Sequence, residues 1–172
     1  LADGVDEVVS ASPAPDVRQE AWIGMASLPH LFGTTGRTIP SEVPYIRADR
    51  ALVDHWAQGF RGSGPLRVGV AWRGGPSHPW NRDRSMSLEH LRVLSLVENV
   101  ALYALHNDCA DEVRCSGLPI TVLEDLDQRS GSFMDTAAII ECLDLVVSVD
   151  TAVAHLAGAL AAPVWIALAF SC

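Results

Sequence analysis

The chain has 172 residues, of which 49% are hydrophobic and 19% charged, which suits one folded domain with part of a second. Its 21 acidic and 12 basic residues give a net charge of -9, which argues against sequence-independent nucleic-acid binding, because such binding neutralises phosphates. All the basic residues are arginine. This excludes mechanisms that need a P-loop lysine or a lysine Schiff base, and it leaves arginine to bind any anion. We expect no nucleic-acid partner.

Cysteine and histidine spacing gives no sign of a disulfide framework or a metal site. The four cysteines form no C-x-x-C pair, which predicts reduced, mostly buried thiols in a cytoplasmic protein. The six histidines show no paired ligand spacing, so no metal and no other cofactor is expected. Residues 151–170 lack charge over a length that could span a membrane, but Pro163 interrupts them and no basic residue flanks them. We therefore expect no transmembrane segment.

The first 46 residues differ in pattern from the rest. A short strand is predicted at residues 4–9, an apolar helical patch at 22–31, and a connector rich in Gly, Thr and Pro at 33–44. No separate hydrophobic core is visible there. A helix is predicted over 48–60, with Leu52, Val53, Trp56 and Phe60 along one stripe.

From residue 67 onward, apolar strands alternate with helices. Strands are predicted at 67–72, 100–105, 119–123, 145–149 and 164–168. Ser87 is predicted to cap a helix whose apolar stripe is Leu88, Leu91, Leu94 and Leu96, and Asp135 to cap another, with further helices at about 108–115 and 152–160. Continuous Val, Leu and Ile runs between helices are typical of a parallel sheet that is covered on both faces. The sequence therefore predicts an α/β fold, a doubly wound, Rossmann-like parallel sheet in the order 3-2-1-4-5. Ligands of such sheets bind at the carboxyl ends of strands one and four.

The loop after the first strand, residues 72–85, has the composition of an anion site. It carries three of the arginines and two tryptophans, and it is long for a strand-to-helix connection. Guanidinium groups pair with phosphate, and a tryptophan face can pack on a base or a sugar. A solvated loop whose arginines pair with surface carboxylates is the alternative. The candidate contacts are Trp72, Arg73, His78, Arg82 and Arg84.

The turn after the fourth strand starts a helix at the same edge of the sheet. Asp150 or Thr151 is predicted to cap this helix, and His155 lies one turn beyond Thr151 on the same face. Backbone amides of the first turn, such as that of Ala152, favour an anion. Together with the arginines, they predict a diphosphate site. The alternatives are a simple cap for Asp150 and a hydrogen-bonded core histidine for His155.

Other short patterns carry less information. Gly59, Gly62 and Gly64 precede the first strand and so form no dinucleotide fingerprint. Without it, another nucleotide-using α/β enzyme, such as a sugar epimerase, is a weaker alternative. The D-x-D pattern of Asp125 and Asp127 is short enough to arise by chance.

A longer set of residues resembles a known family. The similar segments are 27–29, 39–40, 44–45, 72–85, 133–140, 143–160 and 163–165, and the most specific is D-T-A-V-A-H-L-A-G-A-L at 150–160. They resemble the glycosyltransferase-like region that follows tetratricopeptide repeats in many bacterial proteins. That region is related to the ADP-heptose:lipopolysaccharide heptosyltransferases, and more distantly to the O-linked N-acetylglucosamine transferases.

The resemblance implies a GT-B glycosyltransferase, in which the C-terminal of two Rossmann-like domains holds a nucleotide-diphosphate sugar. Transfer is expected to be inverting and metal-independent, to a glycan, lipid or protein acceptor. The positions carried over to the donor site are Asp150, Thr151 and His155 on the turn, and His78, Arg82 and Arg84 on the loop.

The resemblance also implies the domain organisation. Residues 1–46 are expected to be the tail of the N-terminal GT-B domain with its connector, and residues 47–172 an incomplete C-terminal nucleotide-sugar-binding domain. The catalytic base is expected in the missing N-terminal domain, so a fragment truncated at both ends should be inactive alone. Gly75 replaces a usual asparagine, and His106 replaces a common glutamine. These departures keep open a non-catalytic nucleotide-binding or protein-interaction module.

Overall fold

The computed structural model describes residues 21–60, 64–75 and 81–169. The chain divides into two compact units, one ending at Glu42 and one beginning at Val43. The strand predicted at 4–9 lies outside the described residues.

The unit that ends at Glu42 has little regular structure among its described residues. A 3-10 turn at Met25–Ser27 leads into one short helix, α1 (Leu28–Leu31). The helical patch predicted over 22–31 is therefore shorter than expected. Thr35 and Thr38 bond to each other in the turn that follows, where the Thr38 hydroxyl accepts from the Thr35 amide at 2.8 Å.

The second unit alternates strands and helices, as predicted. Its strands are β1 (Leu66–Ala71), β2 (Val100–Ala104), β3 (Ile120–Val122), β4 (Leu145–Val149) and β5 (Val164–Ala167). Its helices are α2 (Arg50–Trp56), α3 (Asn81–Arg84), α4 (Arg92–Ser95), α5 (Ala110–Ser116), α6 (Met134–Cys142) and α7 (Ala152–Ala159).

The sheet confirms the predicted α/β, Rossmann-like topology. All neighbouring strands are parallel, in the order β3-β2-β1-β4-β5. β1 is central, and its Val68 pairs with Leu102 on one side and with Leu145 on the other. The chain reverses its direction of winding between β1 and β4, so the crevice at their carboxyl ends is the expected ligand position.

Alternation along β1 sends side chains into cores on both faces of the sheet. Val68 and Val70 belong to one buried cluster, and Ala71 belongs to the other, which α6 and α7 complete. Gly69 has no room for a side chain, because an added Cβ would lie 2.5 Å from Leu143 Cδ1 and 2.7 Å from Leu105 Cδ1. The glycine lets these two leucines close over the strand.

An ion pair holds β1 against β4 at their amino ends. Asp144 accepts from Arg67 Nε and Nη2, both at 2.9 Å, and from the Arg67 amide at 2.8 Å. The side-chain hydrogen bond lowers the pKa of Asp144 and raises that of Arg67. This bidentate contact fixes the two strands whose opposite ends form the ligand crevice.

The predicted cap of α6 is wrong. Phe133, not Asp135, is at the N-cap position, and Asp135 lies buried in the first turn, where it accepts from Trp56 Nε1 at 2.8 Å. The capping oxygen comes from Asp127, whose Oδ1 accepts from the amides of Asp135 at 2.8 Å and Thr136 at 3.0 Å. The D-x-D pattern that seemed uninformative therefore contains the residue that satisfies this helix start.

Two other helices are shorter than predicted. Asp49 caps α2, which ends at Trp56 and continues as a 3-10 turn to Phe60. Ser87 accepts from the Glu89 amide, as its predicted capping role requires, but the helix begins as a 3-10 turn before α4. A 3-10 turn has three residues per turn, so the predicted apolar stripe does not continue to Leu96, which is exposed.

Within the described residues no helix is long and apolar enough to cross a bilayer. Cys109 and Cys142 are buried free thiols, whereas Cys115 is free and exposed; Cys172 lies outside the described residues. Burial raises the pKa of the Cys109 and Cys142 thiols, so both remain protonated at neutral pH.

Candidate functional site

A cleft of about 720 Å³ opens at the carboxyl ends of β1, β2 and β4, where the topology predicts a ligand. Its walls come from the segments after these strands and from the start of α6. The lining residues are Arg73, Gly74, Gly75, Arg84, Leu105, His106, Asn107, Asp108, Leu126, Asp127, Ser132, Phe133, Thr136, Thr151, Ala152 and Val153.

A buried hydrogen-bond network supports the loop that follows β1. The backbone amides of Trp72 and Arg73 both donate to His106 Nε2, at 3.0 and 3.3 Å. The Trp72 ring is fully buried, meets the His106 ring edge to face at 4.4 Å, and donates its Nε1 proton to Glu112 at 2.9 Å. The ring therefore lies away from any ligand, contrary to its predicted role as a stacking face, and supports the loop from below.

His106 is a neutral acceptor. Burial, with a smaller contribution from the positive charge of Arg73, lowers its pKa to about 4. Because Nε2 accepts two N–H bonds, the ring proton of the neutral form must lie on Nδ1. His106, which replaces a common glutamine, therefore still provides a hydrogen-bond acceptor at the end of β2.

Arg73 is already engaged within the fold. Its Nε donates to Glu112 Oε2 at 3.2 Å, and its Nη2 donates to the Asn107 carbonyl at 3.3 Å. Arg73 lines the cleft, but much of its hydrogen-bonding capacity holds α5 to the loop after β1.

Arg84 also lines the cleft and is differently placed. Its Nε is buried and has no hydrogen-bond partner among the described residues. A buried donor without an acceptor costs free energy unless a ligand supplies one. Arg84 is therefore the arginine best placed to receive an anion.

Gly74 provides the space for Arg84. An added Cβ would lie 2.6 Å from Asn81 Oδ1 and 3.2 Å from Arg84 Nη2. The Gly74 amide donates to Ser85 Oγ at 3.2 Å, and that hydroxyl donates to the Asn81 carbonyl at 2.6 Å. These bonds join the loop to α3 and fix the position from which Arg84 extends.

The start of α7 forms the opposite wall. Thr151 is at the N-cap position, but neither its side chain nor that of Asp150 caps the helix, contrary to the prediction. Instead, Thr151 Oγ1 donates to the Val149 carbonyl at 3.3 Å and lies 3.2 Å from Ser148 Oγ. The first-turn amides of Ala152 and Val153 therefore receive no side-chain cap, which leaves them available to an anion.

The remaining predicted residues lie outside the cleft lining. Asp150 and His155 face each other at 3.6 Å, and both side chains are largely exposed, so the alternative of a core histidine does not hold. Arg82 is exposed on α3. His78 lies outside the described residues. The structure thus brings together Arg73, Arg84, Thr151 and Ala152.

Most of the lining residues were not predicted as site residues from the sequence, and His106 and Phe133 are the two of them that bear on function. His106 was noted only as a departure, and its signal was its position directly after a strand beside the switch point. Phe133 begins one of the segments that resemble the family, but the sequence predicted no role for it at the site, because its backbone conformation and exposure depend on the turn before α6.

The fold and the cleft define a Rossmann-like α/β protein with an open crevice at its switch point. Residues 131–168 match the family model for glycosyltransferase family 9 (heptosyltransferase). The matched segment contains α6, β4, α7 and β5, and so supplies one wall of the cleft.

Two further comparisons found similar proteins. Protein FlbA of Caulobacter vibrioides is 26% identical over 155 residues, which are 86% of this chain and 26% of that protein. The E. coli heptosyltransferase WaaC with ADP-2-deoxy-2-fluoro heptose is 20% identical, with a TM-score of 0.45, over 76% of this chain and 41% of that one. The chain thus spans about a quarter of FlbA and less than half of the heptosyltransferase chain.

Proposed function

We propose that the cleft binds the diphosphate of a nucleotide sugar, and that this chain is the donor-binding part of an inverting, metal-independent glycosyltransferase. The observation that carries the proposal is the buried, unpartnered Nε of Arg84 in a cleft at the switch point. The family match over residues 131–168 supports glycosyl transfer as the reaction class.

The electrostatics of the cleft favour a diphosphate over a neutral ligand. Arg84 supplies a guanidinium group, and the amides of Ala152 and Val153 supply neutral donors at the positive end of a helix dipole. The lining holds two carboxylates, Asp108 and Asp127, of which Asp127 is occupied by capping α6. A local anion site can therefore exist in a chain with a net charge of -9.

In the proposed reaction, the acceptor's nucleophilic atom bonds to the anomeric carbon and gives its proton to the catalytic base, while the bond from that carbon to the diphosphate oxygen breaks and negative charge develops on that oxygen. Arg84 and the first-turn amides of α7 would stabilise that charge through hydrogen bonds that strengthen as it forms. Asp150 and His155 are exposed outside the cleft lining, so they would contact only the sugar end of a donor that extends beyond the cleft. We propose that the catalytic base lies in an N-terminal domain of the whole protein, which would act in the cytoplasm and carry tetratricopeptide repeats.

A second candidate is a non-catalytic nucleotide-binding or protein-interaction module. The observation that favours it concerns His106, which stands where a glutamine is common. Its Nε2 is occupied by the backbone amides of Trp72 and Arg73 and is therefore not free to contact a ligand. The whole protein discriminates between the two candidates: release of nucleoside diphosphate from a nucleotide sugar supports the transferase, and binding without turnover supports the module.

Arg84→Ala should weaken binding of a nucleoside diphosphate about 10- to 100-fold, as expected when a charged hydrogen-bond donor is removed from a site. Isothermal titration calorimetry on this chain measures the effect. Arg82→Ala is the matched control, since it removes the same charge from the same short helix outside the cleft lining. Equal affinities for the parent and the Arg84 variant, or equal losses in both variants, would show that Arg84 is not the phosphate contact.

A further inference from the structure

Phe133 stands at the edge of the cleft with an unusual backbone conformation. It immediately precedes α6, its φ is 63° and its ψ is 6°, and 45% of its surface is exposed. It lines the same cleft as Arg84 and the start of α7.

This conformation is strained for an aromatic residue. The described residues include six non-glycine positions with positive φ. Four of them, Asn99, Asp108, Asp125 and Asp127, are Asn or Asp, whose short polar side chains tolerate the left-handed region. Phe133 has no such side chain. Strain of this kind persists where the surrounding structure imposes it, often at ligand sites.

Phe133 is not part of the hydrophobic core. Phe133 belongs to none of the three buried clusters, and none of the three ring contacts among the described residues includes it. Phe133 is therefore a partly exposed aromatic residue of the cleft lining rather than a core residue.

We propose that the Phe133 ring is the stacking platform for the base of the nucleotide whose diphosphate the cleft binds; this inference rests on the proposed function. Arg84 and the α7 amides would bind the charged diphosphate, whereas the Phe133 ring has only an apolar π face. Such a face stacks on any planar base and reads no hydrogen-bonding pattern. Phe133 therefore adds affinity for purine and pyrimidine nucleotides alike.

The test compares two ligand types on matched variants. Phe133→Leu keeps an apolar side chain at the strained position but removes the ring, and Phe133→Tyr keeps the ring. Phe133→Leu should bind ADP and UDP about tenfold more weakly, which is typical of one lost stacking contact, and should bind inorganic pyrophosphate as the parent does. Phe133→Tyr should match the parent with all three ligands. Met134→Leu, outside the cleft lining, is the control.

The outcomes separate the two proposals. If neither pyrophosphate nor the nucleotides bind the parent chain, the proposed function fails. If pyrophosphate binds and Phe133→Leu leaves ADP and UDP affinity unchanged, or weakens all three ligands equally, only the stacking inference fails.

Thermal unfolding gives an independent readout. Phe133→Gly relieves the positive-φ strain, so its Tm should equal or exceed that of the parent while its nucleotide affinity falls. A lower Tm would mean that the ring stabilises the fold itself, which would overturn the inference.

Discussion

Gly74→Ala should remove most of the affinity of the cleft for a nucleoside diphosphate while leaving the fold intact. The new Cβ would lie 2.6 Å from Asn81 Oδ1, closer than such atoms can pack, and 3.3 Å from Arg84 Nε, a tight contact. Both are side-chain atoms rather than backbone, so these side chains move and the sheet does not. We expect a loss of about 10- to 100-fold, at least as large as that for Arg84→Ala, because the substitution displaces Arg84 and its neighbour together.

Calorimetry and thermal unfolding together check this result. Gly75→Ala is the matched control: it is the next residue, it lines the same cleft, and an added Cβ meets no described heavy atom within 4 Å. Its affinity should stay close to that of the parent. An equal loss in both variants would indicate general crowding of the loop and would contradict the role given to Gly74.

Acidification should destabilise the second unit through His106. Its pKa is about 4 in the folded protein, below the ordinary value of 6.5, so the unfolded chain takes up the proton first. The stabilisation is therefore complete above about pH 6.5 and is lost as the pH falls toward 4. The full loss in the free energy of unfolding is about 3 kcal/mol, because one unit of pKa difference between the folded and unfolded chain corresponds to about 1.4 kcal/mol.

Urea unfolding of the parent and of His106→Gln at several pH values between 7 and about 4 measures this effect. Glutamine can offer an acceptor to the Trp72 and Arg73 amides but does not titrate, so its free energy of unfolding should fall less over this range. Asp144 serves as an internal reference. Because its pKa is lowered, its effect on the free energy of unfolding falls at more acidic pH, and it does so in both proteins. Parallel pH profiles would contradict the assignment to His106.

The sheet could be predicted from the sequence because its signal is local. The run at residues 145–149 is apolar except for Ser148 and is bounded by a helix on each side, and β4 has the predicted limits. Handedness and the switch-point rule then fix the strand order and the edge of the sheet where the cleft opens.

The roles of individual site residues could not be predicted in the same way. Arg73 and Arg84 are two arginines of one loop, and the sequence does not tell them apart. Only tertiary contacts do: Arg73 pairs with Glu112, whereas Arg84 lies against Gly74. Asp127 caps a helix that begins seven residues later, across a loop whose path no local pattern specifies. The exposure of Phe133 depends on the same loop.

The most direct test of the central claim is where pyrophosphate binds. In a nitrogen-15 NMR titration of this chain with inorganic pyrophosphate, the largest saturable shifts should occur at the amides of Gly74, Ala152 and Val153 and at Arg84 Nε. Largest shifts at residues away from the cleft, or no saturable shift at millimolar pyrophosphate, would contradict a diphosphate site at the switch point.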